Sequence, residues 1–285
     1  MGIFCYVCTD MINIKRFTIT AAIVASLTVW GAVPSIITLM DEAGKAQDKG
    51  DWKLAEEKYK EIVAAYPTDE HIPWIMSNIA IMQSYQGNDS LALATLDDAH
   101  ERQPRSITIL ENRALIRNNT GNEKGAYEDF ARILEIDSLH WQARYLHGMI
   151  ALNRRDTVMA EKDFTKVAAQ MPESEEAHIG MAALYTAKKD YPAAIKEYDW
   201  LLARKQETDF YVNRAACLLT LDRLDEASAD ITEGLRINPD DGELYLLRAW
   251  LNNKRFRPDE AKADGNTAIR LGVSRARVEK TLERE

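Results

Sequence analysis

One small residue recurs along this chain at an almost constant interval. An alanine returns after 37, 34, 34, 34, 33 and 34 residues, at Ala55, Ala92, Ala126, Ala160, Ala194, Ala227 and Ala261. Four positions after each of the first six alanines stands a large apolar residue: Tyr59, Leu96, Phe130, Phe164, Tyr198 and Ile231. A period of this length is typical of arrays of helical hairpins, in which each repeat packs only against its neighbours. It therefore predicts an all-α chain built as one elongated array.

A second small residue accompanies each alanine, one helix earlier in the repeat. It stands at Ala43, Ala80, Ala114, Gly148, Ala182, Ala215 and Ala249. Two helices can cross closely only where their side chains are short, so the paired small residues predict a tight crossing inside each hairpin. Pro67, Pro104, Pro172 and Pro239 fall where the second helix of a repeat should end, because proline cannot donate a backbone hydrogen bond.

The pattern resembles the tetratricopeptide repeat (TPR) family, whose motif has a small residue at position 8, alanine at 20, an aromatic at 24 and proline near 32. The resemblance implies a right-handed α-solenoid over residues 36–273. We expect units at about 36–69, 73–106, 107–140, 141–174, 175–207, 208–241 and 242–273. Residues 274–285 are polar with Val278 and Leu282 one helical turn apart, which predicts a C-terminal capping helix. Gly265 stands where a bulky residue is expected, and we interpret it as a mark of a degenerate last repeat.

An uncharged apolar segment precedes the array. Residues 1–16 are polar and end in Lys15 and Arg16, and residues 17–34 then read as a signal peptide or a membrane anchor. Cleavage and retention both stay open, and an apolar helix of a cytosolic protein is a third alternative. We expect an exported location, periplasmic or otherwise extracytoplasmic, with a cytoplasmic one less favoured. We also hypothesise that translation starts at Met11, because residues 11–17 form an ordinary signal start.

Nothing in the chain points to catalysis, a cofactor or a metal. The repeats leave no room for a catalytic domain, and neither a phosphate loop nor a nucleophile elbow is present. Cys5 and Cys8 have no second pair to complete a zinc site, and Cys217 is predicted to be a buried core residue. We interpret the five histidines as surface or edge residues: His71, His100, His140, His147 and His178. A net charge of −9 argues against a nucleic-acid partner.

The resemblance also implies that the first helix of each unit lines a concave groove. We predict that asparagines, aromatic residues and one methionine of these helices bind a partner there: Trp74, Asn78, Tyr85, Asn112, Asn119, Tyr145, Met149, Asn213 and Trp250. An asparagine amide can pair with a peptide backbone, and a rigid aromatic ring makes a good anchor. The basic clamp that some TPR domains use for acidic tails is absent, since its position 2 holds Thr108, Gln142, Glu176 and Asp209.

These observations predict a non-enzymatic scaffold that binds a peptide or protein surface in the groove, on the exported side of a membrane. Two alternatives stay open: a structural assembly factor of an envelope complex that uses the convex face, and a cytosolic adaptor. The convex face and the array ends could also self-associate. The sequence does not identify the partner.

Overall fold

A computed structural model describes residues 34–283, and this range contains fifteen α-helices and no strand. The predicted signal or anchor segment and the hypothetical start at Met11 lie outside the described residues. Between residues 34 and 283, no helix has the combination of length and apolar character that crossing a bilayer requires.

The chain divides into two compact units, whose described parts are residues 34–150 and 151–283. The first contains α1 (Ile36–Asp48), α2 (Trp52–Ala65), α3 (Ile72–Tyr85), α4 (Asp89–Arg102), α5 (Ile107–Asn119) and α6 (Glu123–Ile136). The division falls inside α7 (Trp141–Asn153). The second contains α8 (Thr157–Gln170), α9 (Glu175–Ala187), α10 (Tyr191–Leu202), α11 (Thr208–Thr220), α12 (Leu224–Ile237), α13 (Gly242–Lys254), α14 (Pro258–Arg270) and α15 (Arg275–Leu282).

Each pair of helices is joined by a turn with one residue in the left-handed backbone region. That residue is glycine in the first three turns, with φ of 72° at Gly50, 79° at Gly87 and 82° at Gly121. Later turns force other residues into the same region, at Arg155, Lys189, Asp222 and Phe256. A left-handed residue ends a helix by turning the chain away from it, which is why glycine is preferred there. Five turns then start the second helix with an Asp or Asn beside it as N-cap: Asp51, Asn88, Asn122, Asp156 and Asp190.

The recurring small residues lie where the helices cross. Every alanine of the sequence period is at most 2% exposed, and so are the alanines paired with them in the first helices. The bulky residue one turn later fills the space beside the crossing, as Phe130 and Phe164 do at 1% and 0% exposure. The predicted tight crossing is therefore confirmed, and these residues form the core of both units.

Gly265 has a packing role that the sequence interpretation missed. A Cβ atom at this position would lie 2.8 Å from Cγ1 of Val278 in α15. A larger residue would push α15 off α14, so the glycine makes room for the capping helix. The last repeat is thus adapted to its cap and is not simply degenerate.

A buried ion pair recurs inside the hairpins. An arginine of the first helix binds an aspartate sixteen residues later in the second helix, with the shortest N–O distance 2.6 Å in each of three pairs: Arg113–Asp129, Arg214–Asp230 and Arg248–Asp264. The first hairpin places the opposite charges at the equivalent positions, with Lys58 Nζ 3.1 Å from Glu42. Burial of the aspartates makes each two-pronged arginine contact a constraint on how the two helices cross.

Replacing Phe164 by alanine should lower the free energy of unfolding by roughly 3–5 kcal/mol, because it truncates a fully buried aromatic ring. Urea denaturation followed by circular dichroism measures the change. Val158→Ala on the same helix is the control, since Val158 is 78% exposed. Equal midpoints for Phe164→Ala and the wild type would contradict the assignment of Phe164 to the core.

Replacing Arg214 by methionine should cost about 3 kcal/mol, because the substitution leaves the carboxylate of Asp230 buried without its partner. Asp199 also loses its contact with Arg214, at 2.6 Å in the wild type, but it is half exposed and can be solvated. The control is Lys45→Met, whose exposed pair with Asp41 should leave the melting temperature unchanged within error. Restoring stability by the double change Arg214→Met and Asp230→Leu would support the explanation, and an unaltered Arg214→Met melt would contradict it.

Candidate groove on the first helices

The first helices of two consecutive hairpins, α3 and α5, meet through a polar contact. The side-chain amide of Asn112 donates a hydrogen bond of 2.9 Å to the hydroxyl oxygen of Ser77. Ser77 is fully buried by this packing. In the repeat numbering, in which Ala80 and Ala114 are both position 8, Asn112 is position 6 and Ser77 is position 5. Position 6 of one first helix therefore faces position 5 of the preceding first helix, and the side chains next to these two residues lie in one row.

This row, here named the α3–α5 face, includes five of the residues predicted for the groove. They are Trp74, Asn78 and Tyr85 of α3 with Asn112 and Asn119 of α5, and Glu111 lies beside them. Trp74 is half-buried against the apolar core of residues 34–150. Tyr85 is 40% exposed and stacks on Trp52 with ring centroids 4.4 Å apart.

Two polar groups of the α3–α5 face are half-buried without an internal partner. Neither Asn78 nor Glu111 makes a hydrogen bond or ion pair with any other residue in the range 34–283. Burial raises the pKa of Glu111, and an electrostatic interaction with nearby His140 opposes that shift. Partly desolvated groups of this kind are stabilised when a bound molecule supplies the missing hydrogen bonds.

The face carries no free positive charge from α5. Arg113 and Arg117 point instead to the second helices, where both contact Asp97 of α4 and Asp129 of α6. The α3–α5 face therefore combines aromatic surface, amide groups and one carboxylate.

Three predicted groove residues have other positions than expected. Tyr145 and Met149 are 1% and 7% exposed, so they are core residues, and their assignment to an open groove surface was wrong. They occupy positions 5 and 9 of their repeat, as do the buried Ser77 and Ile81, whereas Glu111 and Trp250 at the same two positions of other repeats are only half-buried. The side-chain amide of Asn213 donates a hydrogen bond of 2.8 Å to the carbonyl oxygen of Asp209 in the same helix.

Trp250 and Asn213 belong to the unit 151–283 and lie on the neighbouring first helices α13 and α11. Trp250 is half-buried, and Nζ of Lys254 lies 5.7 Å from its ring centroid. The aromatic ring is thus partly covered by its own helix.

The burial predicted from the sequence can be compared with the structure for two histidines and for the described cysteine. His147 is 5% exposed and stacks on Tyr127 at 3.9 Å, so its interpretation as a surface residue was wrong. His178 is half-buried between Glu197 and the ring of Trp200, 3.5 Å away. Cys217 is buried as predicted, and burial raises the pKa of its thiol to about 11, which keeps it protonated and unreactive. Residues 34–283 contain no cluster of three His, Cys, Asp or Glu side chains suited to a metal ion.

Tandem helical hairpins that cross at buried small residues define the class of α-solenoid repeat proteins. A tetratricopeptide repeat family model matches residues 208–241, one of the predicted units. Residues 208–241 are thus a tetratricopeptide repeat, and the fifteen described helices fit about seven repeats of this kind.

Known proteins are similar to shorter or longer parts of this chain. The DnaJ homolog subfamily C member 7 homolog of Dictyostelium discoideum is 25% identical over 168 residues, covering 53% of this chain and 31% of that protein. The mitochondrial import receptor subunit TOM70 of Saccharomyces cerevisiae is 32% identical over 97 residues, covering 34% of this chain and 16% of that protein. The chain thus spans less than a third of the length of these relatives. A tetratricopeptide repeat protein of Parabacteroides merdae superposes with a TM-score of 0.71 at 24% identity, over 87% of this chain and 97% of that one, which shows the shared fold.

Glu111→Gln should stabilise the protein at neutral pH and have no effect near the ordinary glutamate pKa of 4.5 or below. A carboxyl whose pKa is raised by folding loses stability as the pH rises through that raised value, because the folded state holds the proton longer. Thermal melts of both proteins across this pH range measure the difference.

Glu56→Gln is the matched control, and its expected effect on stability at neutral pH has the opposite sign. Burial disfavours the Glu56 carboxylate, but hydrogen bonds from Lys60, Gln86 and Gln83 outweigh it and lower its pKa. Its replacement should therefore destabilise the protein at neutral pH. A Glu111→Gln melting temperature equal to the wild type at every pH would contradict the burial of that carboxylate.

Proposed function

We propose that this chain is a non-enzymatic scaffold that binds an extended segment of a partner protein across the α3–α5 face. It belongs to a family of protein-interaction scaffolds, and its known relatives include a subunit of a protein import receptor. The proposal for this particular surface rests on the chain's own residues.

The observation that carries the proposal is the pair of half-buried polar groups without internal partners, Asn78 on α3 and Glu111 on α5. An asparagine amide offers a donor and an acceptor, which matches the alternating groups of an extended backbone. Since Asn112 already donates to Ser77, its amide oxygen is the part that remains for a ligand.

The chemistry of the face also defines the partner. Glu111 accepts hydrogen bonds and attracts a cation, and no arginine of α5 competes for it. The half-buried ring of Trp74 and the exposed edge of Tyr85 add apolar contact area. An extended segment with a basic residue flanked by apolar ones fits these groups, whereas an acidic tail would meet like charge.

The test uses peptides, because the natural partner is unidentified. A phage-displayed library of random peptides is selected on the purified full chain, and the enriched peptides are titrated calorimetrically against variants. Asn78→Ala with Glu111→Gln should weaken binding by about tenfold or more, as each loses a hydrogen bond to the ligand. Enriched peptides should carry lysine or arginine.

Leu91→Ser is the matched control for the convex-face alternative. Leu91 belongs to α4 in the same hairpin as Asn78 and is 50% exposed on the second helix. Binding should be unchanged in this variant. Loss of binding in Leu91→Ser with full retention in the double variant would favour the structural assembly factor instead, and a failure to enrich any peptide would count against a peptide-binding groove.

We further propose that the array acts outside the cytoplasm. The support is the uncharged run of residues 17–33 directly after Lys15 and Arg16, which matches an export signal or anchor. N-terminal sequencing of the protein from fractionated source cells distinguishes the arrangements. A mature start near Ala32 supports a cleaved signal and an intact membrane-bound chain supports an anchor, whereas an intact soluble cytosolic chain rejects export and leaves the cytosolic adaptor.

A further inference from the structure

The C-terminal end of the unit 151–283 carries an exposed aromatic knob. Phe256 lies in the turn between α13 and α14 and exposes 93% of its surface. Its φ is 56°, in the left-handed region that the first three hairpin turns fill with glycine. A bulky residue there is costly for the backbone, and full exposure of a phenyl ring is unfavourable as well. Neither the fold nor the α3–α5 face accounts for phenylalanine at this position.

The turn that presents Phe256 is firmly held. Its backbone N–H donates to the carbonyl oxygen of Asn253 at 3.0 Å, and Arg257 N–H donates to that of Asn252 at 2.9 Å. The preceding side chains are tied to the neighbouring turn by Lys254–Asp222 at 2.5 Å and Arg255–Asp225 at 2.7 Å. The backbone that carries the ring is therefore fixed, which lowers the entropic cost of inserting the ring into a pocket.

A pocket of about 360 Å³ lies on the same end of the chain. It lies between α15, which has 8 residues, and the part of α14 that α15 leaves uncovered. Apolar side chains of both helices line it, among them Ala261, Ile269, Val278 and Leu282. Its wall also includes Asn253 and Pro258, which flank the knob in sequence.

The charges around the two features are complementary. Exposed Arg257, Asp259 and Glu260 follow the knob and sum to one negative charge, whereas Lys262, Arg275 and Glu279 at the pocket sum to one positive charge. None of these six side chains forms an ion pair with another residue of the range 34–283. A knob and a pocket of matching character on one end of one chain are what a self-complementary twofold interface requires.

We propose that this protein forms a dimer through its C-terminal end, with Phe256 of each copy seated in the pocket between α14 and α15 of the other. The occupant is thus a second copy of this chain. This contact shares no residue with the α3–α5 face.

Light scattering coupled to size exclusion tests the proposal on the full chain, in mild detergent so that residues 17–33 do not drive association. The wild type should run as a dimer. Phe256→Gly removes the knob and should raise the dimer dissociation constant by at least about tenfold, since a buried phenyl ring is lost at each contact. The same change should raise the melting temperature of the monomer, because glycine fits the left-handed turn.

Two further variants make the result specific. Lys189→Gly relieves the same left-handed conformation, φ 62°, in another turn and should leave the dimer intact. Asn266→Arg places a long charged side chain at the exposed edge of the pocket and should also give monomers. Mixing Phe256→Gly with Asn266→Arg should restore part of the dimer, because one intact knob then meets one intact pocket.

Either of two results would overturn the proposal. One is a wild-type chain that remains monomeric at its highest soluble concentration. The other is a dimer whose dissociation constant is the same in the wild type and in Phe256→Gly.

Discussion

The close crossing of two helices at a pair of buried small residues is the interaction on which this structure depends. The alanines of the sequence period have at most 2% of their surface exposed, as do their partners in the first helices. Short side chains let the helix backbones approach, and the large residue one turn later fills the gap beside them. Because the same contact recurs with each repeat, each hairpin presents its next neighbour with an equivalent surface, and the array can extend without a single central core.

The arginine–aspartate pairs fix the register in which the two helices of a hairpin pack. Apolar contacts tolerate sliding of one helix along another, whereas a two-pronged contact to a buried carboxylate is satisfied in only one register. In α5 the same geometry turns Arg113 and Arg117 toward the second helices, which leaves the α3–α5 face without a free arginine from α5. The interaction that sets the helix crossing thereby also determines which partners the face can accept.

The fold could be predicted because its signals are local and repeated. The alanine period, the prolines after second helices and the breaker residues of the turns each depend on one hairpin only. The candidate site was harder to predict from the sequence. The exposure of Tyr145 and Met149 depends on how neighbouring first helices pack together. The hydrogen bond from Asn112 to Ser77 likewise joins two repeats. The recurrent pairing of charges sixteen residues apart was visible in the sequence, at Arg214 and Asp230 for example, and a search at that spacing would have found it.

The last described hairpin is partly covered by the short helix α15. A helix of the same length as the others on α14 would present a new stacking surface, whereas the 8 residues of α15 close part of the last hairpin and leave part open. Gly265 allows this short helix to sit close, with Val278 inserted where a bulky residue would otherwise stand. The exposed residues of α15 are mostly polar. Because α15 covers only part of α14, an apolar recess remains beside the turn of Phe256, and this recess is a surface suited to specific contact.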